Sequence, residues 1–210
     1  MNDITTPVFW DQRYKEEKTP WDLHGVPEAL HHFLKTADKP GRVLIPGCGF
    51  GYEIAAFLNA GWDAWGLDFS KTVVQKAQSL LGKQTDRVIV GDFFTHHFAE
   101  RFDVIYDRSF LCALLPSLRP LYEARIKELL LPKGKLLGLF FYHSEFEASL
   151  PEPEVSPYFL TTVEAKNLFS DFYLIEDKAV DDSLPWAKGR ERWQQWKISS
   201  LEKILSTKEI

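Results

Sequence analysis

Short apolar runs alternate with helix-spaced apolar stripes along most of the chain. Val26, Leu30, Phe33, Leu34 and Ala37 share a helical face, with Pro27 placed as a first-turn proline. Arg42–Pro46 follows Gly41 with the pattern of a short buried strand. Ile54, Phe57 and Leu58 form the next helical stripe, stopped at Gly61. Trp62–Leu67 predicts a second strand closed by Asp68. Ser70 then predicts the N-cap of a helix carrying Val73, Val74, Ala77, Leu80 and Leu81, with Gly82 as its stop. Arg87–Val90 and Phe102–Tyr106 predict a third and a fourth strand. Leu118, Leu121, Tyr122, Ile126, Leu129 and Leu130 mark a helix, broken by Pro132 and Gly134. Lys135–Tyr142 is apolar on both faces, as a strand inside a covered parallel sheet must be. Thr161 with Glu164 predicts a capping box, and Phe172–Val180 and Arg192–Ser199 predict two late strands. Strand and helix alternating in this way predict an α/β fold with a doubly wound sheet.

Composition narrows the picture. No repeat or linker divides the 210 residues, so one domain spanning 1–210 is expected. The formal charge of −5 lacks the basic field on which non-specific nucleic-acid binding depends. No basic run precedes an apolar stretch at the N-terminus, and the longest apolar run, Leu136 to Tyr142, is too short to span a bilayer. Cys48 and Cys112 lie far apart in no metal-like spacing, which points to a reducing, cytoplasmic compartment. Aromatic residues make up 14% of the chain, with seven tryptophans against one methionine. Five of those tryptophans lie toward the chain ends: Trp10, Trp21, Trp186, Trp193 and Trp196.

The strongest chemical signal is Val43-Leu-Ile-Pro-Gly47-Cys-Gly49-Phe-Gly51, a strand, a glycine turn and a helix start. Glycines let the backbone approach a ligand closely, and the helix N-terminus offers unpaired N–H donors. Asp68 ends the next strand, where a carboxylate can accept from both hydroxyls of a ribose. The spacing is G-x-G-x-G; Tyr52 stands where a dinucleotide fingerprint has its last glycine.

This turn with its following acidic residue resembles motifs I and II of class I S-adenosylmethionine-dependent methyltransferases. Lys18-Thr-Pro-Trp-Asp22, Leu44-Ile-Pro-Gly-Cys-Gly49, Gly66-Leu-Asp-Phe-Ser70, Gly91-Asp-Phe-Phe94 and Phe102-Asp-Val-Ile-Tyr-Asp-Arg108 resemble successive blocks of the thiopurine S-methyltransferase family, in particular its plant-type thiol and halide methyltransferases. Cys112-Ala113, Pro116 with Arg119, and Lys188-Gly-Arg-Glu-Arg192 through Trp196-Lys197 continue the likeness, which spans about residues 8 to 200 in one order. The resemblance implies a Rossmann-like, mostly parallel seven-stranded sheet with helices on both faces and an antiparallel last strand. It also implies a helical lid over residues 1–38. The implied cofactor is S-adenosylmethionine, leaving as S-adenosylhomocysteine. It would be held by Gly47 and Gly49 at the amino-acid half, Asp68 and Phe69 at the ribose, Asp92 and Phe93 at the adenine, and Arg108 beside the fourth strand. Trp10, Tyr14 and Trp21 would fold over it, Tyr14 standing where plant-type members often carry tryptophan. The implied role is direct in-line methylation of a small-molecule thiol or other soft nucleophile, as in detoxification, by a cytoplasmic monomer with no nucleic-acid or membrane partner and no metal.

Such a transfer needs no essential general base, because a soft sulfur nucleophile ionises readily. No catalytic side chain is assigned. His96-His97 lack further ligands at metal spacing and read as solvated loop residues. The acceptor side departs from the family: a G-P-P-[FY] turn is replaced by Pro151-Glu-Pro-Glu-Val-Ser-Pro-Tyr158. Tyr142, Phe146, Tyr158 and Trp186 are the candidates to line the acceptor pocket. Alternatives from other classes stay open. Lys188, Arg190, Arg192 and Lys197 interleaved with Trp193 and Trp196 could bind a nucleic-acid strand as an N- or O-methyltransferase substrate. A nicotinamide-dependent oxidoreductase would need the glycine spacing that Tyr52 interrupts.

Overall fold

The computed structural model describes residues 4–37, 40–143 and 156–199. Among them, helices α1 (Pro7–Lys15) and α2 (Glu28–Thr36) precede strand β1 (Arg42–Pro46). Then follow α3 (Tyr52–Asn59), β2 (Asp63–Asp68), α4 (Lys71–Leu81), β3 (Val88–Val90) and β4 (Phe102–Arg108). The chain continues with α5 (Arg119–Leu129), β5 (Leu130–Phe141), α6 (Thr162–Leu168), β6 (Phe172–Ala179) and β7 (Glu191–Ile198).

The seven strands form one sheet in the order β3-β2-β1-β4-β5-β7-β6. β1 runs parallel to β2 and β4, β2 to β3, and β4 to β5. β7 inserts antiparallel between β5 and β6, as the likeness implied for the last strand. The strand order reverses between β1 and β4, which in open α/β sheets leaves a crevice at the carboxyl ends of those strands.

Side-chain alternation divides the core between the two faces of the sheet. Val43 and Ile45 of β1, Val104 and Tyr106 of β4 and Leu137 and Leu139 of β5 pack with Phe33, Phe57 and Ala77 of α2, α3 and α4. Leu44, Ile105, Leu136 and Phe140 face the other way, onto Tyr122, Ile126 and Leu129 of α5 and Ala165 of α6. Trp193 and Trp196, three residues apart on β7, enter opposite cores and are 3% and 5% exposed.

Local chemistry sets the element ends. Ser70 caps α4 by accepting from the Val73 amide, and Thr161 and Glu164 form the predicted capping box on α6. Pro27 is one step displaced from its predicted place: it is the extended N-cap of α2, and its carbonyl accepts from Leu30 and His31. β5 begins at Leu130, earlier than its apolar pattern, because Leu130 pairs with Phe102 across a register shift. Leu80 and Leu121, assigned to buried stripes by spacing, are 49% and 50% exposed.

Candidate active site

A cavity of about 620 Å³ opens at the reversal of strand order. That is the size of pocket that encloses a small-molecule ligand. Its floor is the β1–α3 turn. Gly47 (φ +59°) and Gly49 (φ +52°) adopt the left-handed region there. A Cβ on Gly47 would stand 2.5 Å from the Phe110 ring, so both conformation and space demand glycine.

Asp68, at the end of β2, is buried and faces this turn. Its Oδ2 accepts from the Gly49 amide at 3.0 Å and its Oδ1 from the Ser70 amide at 2.9 Å. Burial pushes its carboxyl up to about 6, against the lowering effect of those two amides. Phe69 lines the cavity beside it. Beyond β3, Asp92 borders the cavity and its Oδ1 accepts from the Phe94 amide at 2.8 Å, an Asx turn that leaves its other oxygen for a ligand. Phe93 also borders the cavity, but its ring is 2% exposed and wedged edge-on against Phe94 and Phe110.

Arg108 closes β4. Its partner is the buried Glu53 at 3.7 Å. Its Nη2 donates to the Trp21 carbonyl at 3.4 Å, and among the described residues its buried Nε finds no partner. Burial raises the Glu53 carboxyl despite the nearby guanidinium. Asp107 does different work below. It accepts from the Tyr122 hydroxyl at 2.8 Å and from the Phe110 and Leu111 amides, fixing the turn that carries Phe110 and Cys112. In that turn Ser109 sits at φ +62°, a costly conformation for serine that the Asp107 bonds hold in place.

The N-terminal aromatic residues form the roof. Trp10 meets Trp21 edge-on at 5.6 Å, Tyr14 meets Trp21 at 5.9 Å and Phe50 at 5.5 Å. Tyr14 is buried, and burial pushes its hydroxyl well above its ordinary range. Every residue assigned to the cofactor from the sequence therefore borders this one cavity: Trp10, Tyr14 and Trp21 above, Gly47, Gly49, Asp68 and Phe69 below, and Asp92, Phe93 and Arg108 along the side.

The other wall corrects the sequence reading. Of its four candidates, Trp186 lines the cavity, stacked on Phe141 at 5.4 Å. Tyr142 instead donates to the Gln194 side chain, and Tyr158 is buried away from the cavity. Phe146 and residues 151–155 lie outside the described residues. Phe159 lines the wall in their place, 6.0 Å from Phe141, with the Arg190 guanidinium 5.3 Å over its ring. Buried Arg119 holds this segment by donating to the Phe159 carbonyl at 2.9 Å and pairing with Glu164. Glu53 and Phe159 were not selected from the sequence, though Glu53 in the first turn after the glycines was open to view, and Arg190 was read there only as a nucleic-acid contact. The basic and aromatic end segment is not a stacking platform: Trp193 and Trp196 are core residues, and Arg192 pairs with Asp177.

Cys48 and Cys112 are free, buried and on the cavity wall, and burial pushes both thiols up. Among the described residues, no three His, Cys, Asp or Glu side chains gather as metal ligands. No helix among them is long and apolar enough to cross a membrane.

A glycine turn, a carboxylate ending the second strand, a reversal of strand order and an antiparallel β7 between β5 and β6 together match the Rossmann-like fold of class I methyltransferases. In shape the chain is similar to the crystal structure of 1,6-didemethyltoxoflavin-N1-methyltransferase from Burkholderia thailandensis, with a TM-score of 0.76 at 19% identity over 92% of this chain and 87% of that one. That likeness speaks for the fold alone. The family model described as thiopurine S-methyltransferase matches residues 5–205, and the chain belongs to that family. Among its relatives, the protein named probable thiol methyltransferase 2 from Arabidopsis thaliana is 33% identical over 198 residues, covering 91% of this chain and 85% of the relative. Thiocyanate methyltransferase 1 from the same plant is 30% identical, covering 90% and 83%.

Proposed function

We propose that the protein transfers the methyl group of S-adenosylmethionine directly to a small-molecule thiol or comparably soft nucleophile. The observation that carries this is the single cavity that joins the Gly47–Gly49 turn and Asp68 to an aromatic wall of Phe159 and Trp186. One cavity thus has room for donor and acceptor together. The donor fits what the cavity presents: a carboxylate at the ribose position, the Arg108 side chain on the wall, and a glycine turn in which Gly47 has no room for a Cβ.

When bound, S-adenosylmethionine supplies a methyl group activated on a sulfonium sulfur. Asp68 accepts from the ribose hydroxyls, and the second oxygen of Asp92 accepts from the adenine amine. Phe93 contributes its main chain and ring edge. Arg108 offers its guanidinium to the methionine carboxylate and Glu53 its carboxylate to the ammonium. The lid expected over residues 1–38 brings Trp10, Tyr14 and Trp21 over the cation, where aromatic rings exclude water and tolerate positive charge. On the other wall, Arg190 places a cation where an anionic sulfur approaches. The chain's contribution is positioning and desolvation, and a thiolate needs no base to take its proton. We read the protein as one domain, working as a monomer in the cytoplasm, where its two free thiols stay reduced.

Thermal shift with S-adenosylmethionine, S-adenosylhomocysteine, NAD and NADP tests the donor. Stabilisation by the two adenosyl sulfur compounds is expected, and its absence would overturn the proposal. Methyl transfer to a thiol panel, thiocyanate, iodide and a short RNA then tests the acceptor, with transfer to RNA alone as the contrary result.

A further inference from the structure

Asp11 follows Trp10 on α1 and precedes Tyr14 by less than one helical turn. Its Oδ1 accepts two hydrogen bonds from the start of α4, from the Ser70 hydroxyl at 2.5 Å and the Thr72 amide at 3.0 Å. Ser70 is fully buried and has three roles at once. Its hydroxyl donates to Asp11, the same oxygen accepts from the Val73 amide, and its own amide donates to Asp68 Oδ1. Asp68 Oδ2 in turn accepts from the Gly49 amide. One unbroken series of hydrogen bonds therefore runs from the roof helix through Ser70 to the carboxylate of the cavity and the glycine turn beneath it.

α1 is nine residues long, and besides Asp11 it is held by Tyr14, its only buried side chain, which packs on Trp21 and Phe50 and whose carbonyl accepts from Lys76 of α4 at 3.4 Å. A helix of that length has no stability of its own in water, so its place is decided by what it docks on. A carboxylate at the N-terminus of α4 also meets the positive end of that helix.

We propose that Asp11 is a positioning residue that couples occupation of the Asp68 end of the cavity to the seating of α1, and with it of Trp10 and Tyr14. The inference rests on the reading of that end as the adenosyl site. Coupling of this kind is reciprocal: a seated α1 tightens binding, and a bound ligand holds α1 down.

Limited trypsin digestion reads the second half of that statement, through cleavage after Arg13, Lys15 and Lys18. Calorimetry with S-adenosylhomocysteine reads the first. In the wild type, saturating S-adenosylhomocysteine should slow cleavage at these sites about tenfold or more. Asp11→Ala should bind about 5- to 20-fold more weakly, less than for a lost ligand contact because Asp11 acts on binding only through the seating of α1. At concentrations that saturate the variant, it should show no more than about twofold protection, the part of the coupling that bypasses Asp11. Asp11→Asn keeps an oxygen in the accepting position and should restore most of both effects. Full ligand-dependent protection in saturated Asp11→Ala would overturn the proposal. So would equal defects in Asp11→Asn and Asp11→Ala with unchanged melting temperatures. If the wild type itself failed to bind S-adenosylhomocysteine, the reading of the cavity would fall instead, and the two failures are thereby separated.

Discussion

The Trp186 indole donates to the Pro20 carbonyl at 2.8 Å, binding the N-terminal strap to the turn that leads into β7. One residue on, the Trp21 carbonyl accepts from Arg108, so the strap is held from the far wall and from the sheet. Trp186→Phe keeps the stack on Phe141 and loses this bond. A single partly solvated hydrogen bond contributes about 1 kcal/mol. Steady-state kinetics should show an acceptor KM raised about threefold to tenfold with kcat little changed, and Trp186→Ala should do worse on both.

Removing the Asp68 carboxylate should weaken S-adenosylhomocysteine binding by about 10- to 100-fold, the effect of losing bonds to a charged acceptor. Part of that loss will come from the Gly49 and Ser70 amides, which lose their partner as well. Calorimetry on Asp68→Ala and Asp68→Asn checks this, and affinity unchanged in both would misplace the ribose.

Acid should act on binding and on folding in opposite directions. Asp68 titrates at about 6 in the fold and at 3.8 when unperturbed. The charged form accepts from the ribose, so affinity is complete well above pH 6 and falls about tenfold per unit below it. For stability the sign reverses. The folded chain holds this proton more tightly than the unfolded one, so lowering the pH from 6 toward 4 stabilises the fold through Asp68. Asp107, also pushed by burial to about 6, adds in the same sense. Calorimetry from pH 5 to 8 should give the slope in the wild type, and Asp68→Asn should flatten it.

Gly47→Ala places a side chain at φ +59° and a carbon 2.5 Å from the Phe110 ring. The left-handed conformation alone costs about 1–2 kcal/mol. For a chain of this size that is a Tm lower by about 2–8 °C. A larger loss of S-adenosylhomocysteine affinity should accompany it as Phe110 is pushed into the cavity.

Cys48 and Cys112 should react slowly with iodoacetamide in the folded protein up to pH 9, because burial keeps both as thiols. Saturation with S-adenosylhomocysteine should slow Cys48 further, since it lies in the turn under the ligand. Mass spectrometry of the labelled peptides distinguishes the two sites.

The sheet was legible because its strands are short apolar blocks between glycine, proline and capping residues, and the caps at Ser70 and Thr161 stand where side-chain chemistry demands them. The glycine turn and Asp68 were legible for the same reason, being local. α1 did not show in the apolar pattern, and only the family likeness implied it, as part of a helical lid. It buries Tyr14 alone and has no apolar stripe, so its helix is a product of docking rather than of pattern. The aromatic end segment misled because composition does not show direction. Trp193 and Trp196 point into the two cores, while Trp186, outside any strand, reaches the cavity. Phe159 was missed because its position depends on Arg119, forty residues away, which grips its carbonyl.

The reversal of strand order also divides labour along the chain. Residues up to Arg108 supply the roof, the glycine turn and the carboxylates of Glu53, Asp68 and Asp92, whereas the wall opposite is built from residues 110–118 and 156–190. The glycine turn, Asp68 and Asp92 reach the cavity from the β1 side of the β1–β4 junction, and the later segments reach it from the β4 side. A lineage can therefore trade one methyl acceptor for another by rewriting the later segments while its hold on the donor is inherited intact.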